Sequence, residues 1–213
     1  YRLVNRETVS QTYSFKTGGT GNFSFLLAGD PQIGAGSLES DIQGWENTLN
    51  VAAAQFPDAS FLVSVGDQVN SAADEGQYSG YLEHAVLKGL TTATVIGNHD
   101  TGSSSYSQHF NNPNESQYGA TAAGSDYWYV YNNVLFMNLN TNNMSTAEHK
   151  AFMEDAIRKN QDVDWKVVVL HHSLYSVASH ATESDILQRR NELVPVFQDL
   201  DIDVVLQGHD HVY

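Results

Sequence analysis

The sequence predicts an α/β fold. Short apolar runs alternate with longer segments of helical period, and several of the runs are apolar at consecutive positions, as in strands covered on both faces. At 213 residues and 41% hydrophobic content the chain is long enough for one domain with a sizeable core.

Residues 1–17 differ from the rest of the chain. Alternating stretches at 1–4 and 11–15 precede Gly18-Gly19-Thr20-Gly21, which reads as strand, strand, linker. The apolar runs at 23–28, 61–65, 93–96, 167–170 and 202–207 predict buried strands. Ser37 can cap a helix on which Leu38, Ile42, Trp45, Leu49 and Ala52 recur at helical spacing. Tyr127–Tyr131 and Val134–Leu139 flank Asn132-Asn133, a hairpin with a tight turn. Ser145 and Glu148 form a capping box for a second helix running towards Asn160. Ile186, Arg190, Leu193, Val194 and Phe197 predict a third, interrupted near Pro195. The segment 102–118, rich in Ser, Asn and Tyr, is long enough to line a cleft and equally suits a surface loop.

A net charge of -15 argues against a nucleic-acid or anionic-membrane surface, since both require Lys and Arg to neutralise phosphate. It is compatible with a phosphorylated substrate if carboxylates hold divalent cations that supply the positive charge locally. Zero cysteines exclude disulfides, thiolate metal sites and Cys nucleophiles, so any metal sits on Asp, Asn and His. The longest aliphatic run, 167–170, is far short of a transmembrane segment.

The predicted strands share one property, the chemistry of the residues at their carboxyl ends. They end at Gly29-Asp30, Gly66-Asp67, Gly97-Asn98-His99-Asp100, His171-His172 and Gly208-His209-Asp210-His211. In open α/β sheets ligands bind outside the carboxyl ends of the strands, so these residues should converge although distant in sequence. Taken singly, each has an ordinary reading. Gly-Asp after a strand is commonly a turn or a cap, and Gly-Asn-His-Asp is a plausible self-bonded loop. Two histidines two residues apart face one cation only on an extended or irregular segment. The conjunction, with each member at a strand end, predicts a metal site.

The ordered set Gly29-Asp30, Gly66-Asp67-x-x-Asn70, Gly97-Asn98-His99-Asp100, His171 and Gly208-His209-Asp210-His211 resembles the calcineurin-like metallophosphoesterases over nearly the whole chain. His171-His172-Ser173-Leu174-Tyr175-Ser176, with His180 beyond it, is most similar to the purple acid phosphatase branch. The resemblance implies a four-layer α/β/β/α sandwich of two mixed sheets. It implies that residues 1–19 end a preceding fibronectin-like β domain and that 20–213 form the catalytic domain without its last strands. Export to the extracellular space or cell envelope is implied as well.

Residue by residue, the resemblance implies two cations, drawn from Fe, Zn and Mn, bridged by Asp67. Asp30, Asp67 and His211 would hold one; Asp67, Asn98, His171 and His209 would hold the other, with His171 preferred to His172. The implied reaction is hydrolysis of a small phosphomonoester by a dinuclear metal-activated hydroxide, with His99, and secondly His180, handling protons. A structural hydrogen bond is the alternative for His99, and an ordinary surface position for His180. Gln32 stands where many relatives have a ligand His, leaving a weak ligand at best and a first site open to Mg or Ca. Asn70 replaces a ligand Tyr, so no tyrosinate–metal bond is expected. Phosphodiesterase activity, and a catalytically weak module that binds phosphorylated or anionic ligands, are the alternatives.

Overall fold

The computed structural model describes residues 1–212. After the two-residue strands β1 (Val4–Asn5) and β2 (Thr8–Val9), which among the described residues pair with each other and with no other strand, a parallel sheet forms from β3 (Leu26–Ala28), β4 (Leu62–Ser64) and β5 (Thr92–Thr94). Helix α1 (Leu38–Gln55) connects β3 to β4, and α2 (Glu75–Leu82) connects β4 to β5. After α3 (Ser105–His109) comes the second sheet, ordered β6 (Tyr127–Tyr131), β7 (Val134–Leu139), β8 (Trp165–Leu170) and β9 (Val204–Leu206). Helices α4 (Thr146–Lys159) and α5 (Ser184–Asp199) make its crossovers.

Side-chain alternation along the strands builds the layers. On β4 and the residues flanking it, Phe61, Val63 and Val65 point between the sheets, where they meet Val134, Phe136, Val167 and Val169 of the second sheet. Leu62 faces the other way, onto Trp45, Leu49 and Tyr81. In the second sheet the opposite parity, Leu135, Met137, Leu139, Val168 and Leu170, packs on Phe152, Met153 and Ala156 of α4 and Leu193, Val196 and Phe197 of α5. The result is the expected α/β/β/α sandwich. One sheet differs from expectation: among the described residues β3, β4 and β5 are wholly parallel, and only the second sheet is mixed, through the antiparallel β6–β7 hairpin. Asn132 turns that hairpin with a φ of 52°.

Two local expectations are corrected, and one helix goes unread in the sequence. The stretch 11–15 forms no strand; the alternating N-terminus pairs Val4–Asn5 with Thr8–Val9 instead. Helix α5 runs through Pro195 to Asp199. Proline removes the bond to the carbonyl of Asn191, and both residues lie on the exposed face, so that carbonyl is not left in the core without a partner. Helix α2 has too weak an apolar stripe to be read from sequence. It is started by Asp74, whose carboxylate accepts from the Gly76 and Gln77 N–H groups at 2.9 and 3.2 Å. It is held by Tyr81, which stacks on Trp45 of α1 at 5.5 Å.

Candidate metal centre

At the C-terminal ends of β3, β4 and β9 the backbone leaves the sheet through the left-handed region. Asp30, Gln32, Asp67, His209 and His211 have φ of 55°, 41°, 51°, 76° and 53°. A non-glycine residue there costs about 1–2 kcal/mol, and such strain persists only where the surroundings fix it, most often at functional sites. Two glycines allow the close approach: a Cβ on Gly66 would collide with the His171 ring, and one on Gly97 with the Asp67 carboxylate and amide.

The side chains positioned this way converge. His171 donates its Nδ1 proton to the Val65 carbonyl at 2.9 Å, so Nε2 is the nitrogen that faces the cluster. Around that Nε2 lie Asn98 Oδ1 at 2.9 Å, His209 Nδ1 at 3.2 Å and Asp67 Oδ2 at 3.4 Å. Asp67, His171 and His209 each offer a donor atom within 4.8 Å of the others. Two imidazoles, an amide oxygen and a carboxylate crowd around one position that needs a positive charge, met by a proton shared between His171 and Asp67 or by a metal cation that displaces it, and this mixed N/O set suits zinc, iron or manganese. The residues therefore fit a cation. His171, not His172, joins the cluster: His172 Nδ1 is 2.8 Å from Thr141 Oγ1.

The remaining candidates sit at the rim. Asp30 Oδ1 is 3.9 Å from His171 Nδ1 and 3.5 Å from His211 Nε2, and both Asp30 oxygens accept from the His209 N–H at 3.0 Å. Gln32 donates Nε2 to Asn70 Oδ1 at 3.2 Å. His99 donates its backbone N–H to Asp67 Oδ1 and its Nδ1 proton to the Asn70 carbonyl, both at 2.9 Å. His180 packs on the His209 ring at 4.3 Å between centroids, with Nδ1 3.0 Å from Glu183 Oε1. The segment 102–118 is partly helical, through α3.

Burial pushes the Asp67 carboxyl up, but the hydrogen bond and charge of His171 and the His99 N–H outweigh it and hold Asp67 below its usual range. Burial dominates at Asp30, which is raised. It also lowers His209 to about 4, with the charge of His171 adding to it, and places His172 far below the usual imidazole range. Both therefore stay neutral near pH 7, and neutral imidazole is the metal-binding form.

Several residues support the cluster from behind; Asp100 closes the self-bonded loop that its motif suggests, and the roles of Asn142 and Gln77 are marked by no sequence pattern. Asp100, fully buried, accepts from Gly97 N at 2.8 Å and from Gln68 N and Val69 N at 3.0 and 3.3 Å, locking the β4 and β5 loops together. Burial first, then the charge of Asp67, raises its carboxyl to about 7. Asn142, in the loop after β7, donates to the Ile96 and Gly97 carbonyls at 3.1 Å, bridging the second sheet to the peptide before Asn98. Gln77 Oε1 accepts from Asn70 N and Ser71 N at 3.0 and 2.8 Å. The glycine–acid motifs point to the ligand loops; the tethers behind them are joined only by tertiary packing.

A family model described as calcineurin-like phosphoesterase matches residues 23–213. The chain belongs to the calcineurin-like phosphoesterase family. Within this family it is 24% identical over 228 residues to purple acid phosphatase 7 of Arabidopsis thaliana, covering 90% of this chain and 65% of that protein. Purple acid phosphatase 17 of Arabidopsis thaliana is 34% identical over 53 residues, 25% of this chain and 15% of the relative. In fold, the phosphoesterase chain is similar to purple acid phosphatase PPD1 from yellow lupin (Lupinus luteus) seeds, with a TM-score of 0.60 and 16% identity over 94% of this chain and 40% of that one. The chain thus spans less than two thirds of these longer proteins.

Proposed function

We propose that this chain hydrolyses a small phosphate monoester with two cations bridged by Asp67. The observation that carries the reading is the convergence of Asn98, Asp67 and His209 on Nε2 of His171. Asp67, Asn98, His171 and His209 would hold one cation; Asp30, Asp67 and His211 would hold the other. Bound there, cations would supply Lewis-acid charge against the phosphoryl oxygens and lower the pKa of water to about 7.

The chain's own residues supply the rest. The Asn70 carbonyl can only accept, so His99 carries its proton on Nδ1 and keeps Nε2 for exchange with a leaving alkoxide. Gln32, with its amide nitrogen tied to Asn70, offers only its oxygen to the Asp30 side, which leaves that position poorer in donors. His180 is the secondary candidate for proton handling. The net charge of -15 leaves local cations as the source of attraction for the phosphate.

Export to the extracellular space or cell envelope belongs to the same reading; no helix among the described residues is long and apolar enough to cross a membrane. Residues 1–19 read as the end of a fibronectin-like β domain, in keeping with a β1–β2 pair that joins neither main sheet.

Elemental analysis of the purified protein, coupled to a panel of mono- and diesters, tests the proposal. Asp67→Ala is expected to remove most bound metal and hydrolysis together. Two metals per chain with normal turnover in that variant defeats the site. Turnover of diesters alone favours a phosphodiesterase, and tight binding of phosphate esters without hydrolysis under any metal favours a binding module.

A further inference from the structure

Asp210 lies between two proposed ligands in sequence, yet takes no part in the centre they form. Its side chain is 3% exposed, and among the described residues neither carboxylate oxygen has a hydrogen-bond partner. A carboxylate withdrawn from water without a partner is one of the costliest arrangements a fold can retain. Around Asp210 stand imidazoles. Its Oδ1 is 4.0 Å from His180 Nε2, and the His180 ring lies against that of His209, 4.3 Å away between centroids. His180, His209 and Asp210 each present a donor atom, all within 4.8 Å of one another. His209 Nδ1 is directed at His171 Nε2, 3.2 Å away, so Nε2 of the same ring is left for a second set of donors, and a cation there takes it with release of the Nε2 proton to solvent, the ring bridging as imidazolate.

We infer that His180, His209 and Asp210 form a further cation site, joined to the hydrolytic centre through the His209 imidazole. Two imidazoles and a carboxylate, with one position left for water, is a donor set that zinc accepts in tetrahedral geometry. Mg²⁺ and Ca²⁺ would find a single protein carboxylate there and are disfavoured. Glu183 Oε1 lies 3.0 Å from His180 Nδ1 without a hydrogen bond between them, close enough to take that proton after a small ring rotation once His180 binds a cation. A cation here matches the buried carboxylate of Asp210, ties the short turn that carries His180 to the loop after β9, and takes His180 out of the secondary proton-handling role, leaving that to His99. The site binds zinc whether or not the neighbouring centre hydrolyses phosphate esters.

The test compares wild type, Asp210→Asn and Asp67→Ala, each stripped with chelator and then dialysed against Zn²⁺. Wild type should retain one more zinc per chain than Asp210→Asn, and Asp67→Ala should keep that Asp210-dependent zinc. The order of melting temperatures should also invert. In chelator, Asp210→Asn melts higher, because an unpartnered buried charge has gone; in Zn²⁺, wild type melts higher. A protein in which Asp210 serves only packing would keep one order under both conditions. Equal zinc counts in wild type and Asp210→Asn, the same melting order in both buffers, or loss of the Asp210-dependent zinc in Asp67→Ala overturns the inference. If Asp210→Asn does not fold, His180→Gln carries the zinc count in its place and should lose the same single ion. Hydrolysis is scored separately on the ester panel, so a hydrolytically inert wild type that still shows the Asp210-dependent zinc refutes the phosphoesterase reading alone.

Discussion

His99 shows how one carbonyl assigns a role to a side chain. Because the Asn70 carbonyl takes the Nδ1 proton, only Nε2 can exchange protons with a substrate. His99→Ala should leave metal content near wild type and lower turnover by about 10²–10⁴, the range for a lost general acid or base; unchanged turnover would make His99 structural. The choice between His171 and His172 is open in the sequence, since both stand behind the same apolar run. Alternation along β8 settles their placement: Val167 and Val169 point between the sheets and Val168 and Leu170 towards the helices, so His171 continues the inward series. For Gln32 the sequence indicates a weak donor but not its bond to Asn70, 38 residues on, because such a partner is fixed only by tertiary packing.

Between elements, the loop after β7 does more than connect. Asn142 fastens it to the peptide before Asn98, and Thr141 meets His172. Asn142→Ala should weaken cation binding by roughly 10–100-fold, as loss of outer-shell partners does, while shifting the melting temperature little; calorimetric titration of the stripped protein measures it. The same loop is braced by a buried pair, His149 Nδ1 and Asp126 Oδ2, 2.7 Å apart. Burial lowers the His149 pKa, but Asp126 outweighs it, so the imidazole is held above its ordinary value of 6.5. Burial also raises Asp126. A folded pKa above the unfolded one means that the folded chain binds the proton more tightly. That stabilisation is complete below about pH 6.5 and is lost as the pH rises through the raised folded value. The urea midpoint of wild type should therefore fall as the pH rises above about 6.5, and His149→Gln should flatten that slope. Helices α1 and α4 are legible in the sequence because cap and stripe agree. Helix α2 is not, because its stability comes from Tyr78 and Tyr81 buried against residues distant in the chain.

For the molecule as a whole, strand parity and helical stripes lead to the layer order, and the acids and histidines behind the buried runs lead to the edge that carries the site. Sequence leaves unspecified how the two sheets are held in register at that edge. Part of the answer is the Asp30 carboxylate, which accepts from the His209 amide across 179 residues of chain. Contacts of such separation close late in folding, after the loop entropy between them has been spent. The donors at Asp67, Asn98 and His171 are likewise brought together only when both sheets exist. A cation therefore has nothing to hold in the early chain and cannot act as a nucleus. It acts as a clasp on a finished object: in stopped-flow measurements added Mn²⁺ or Zn²⁺ should leave the folding rate unchanged and slow unfolding, the signature of an interaction absent from the transition state.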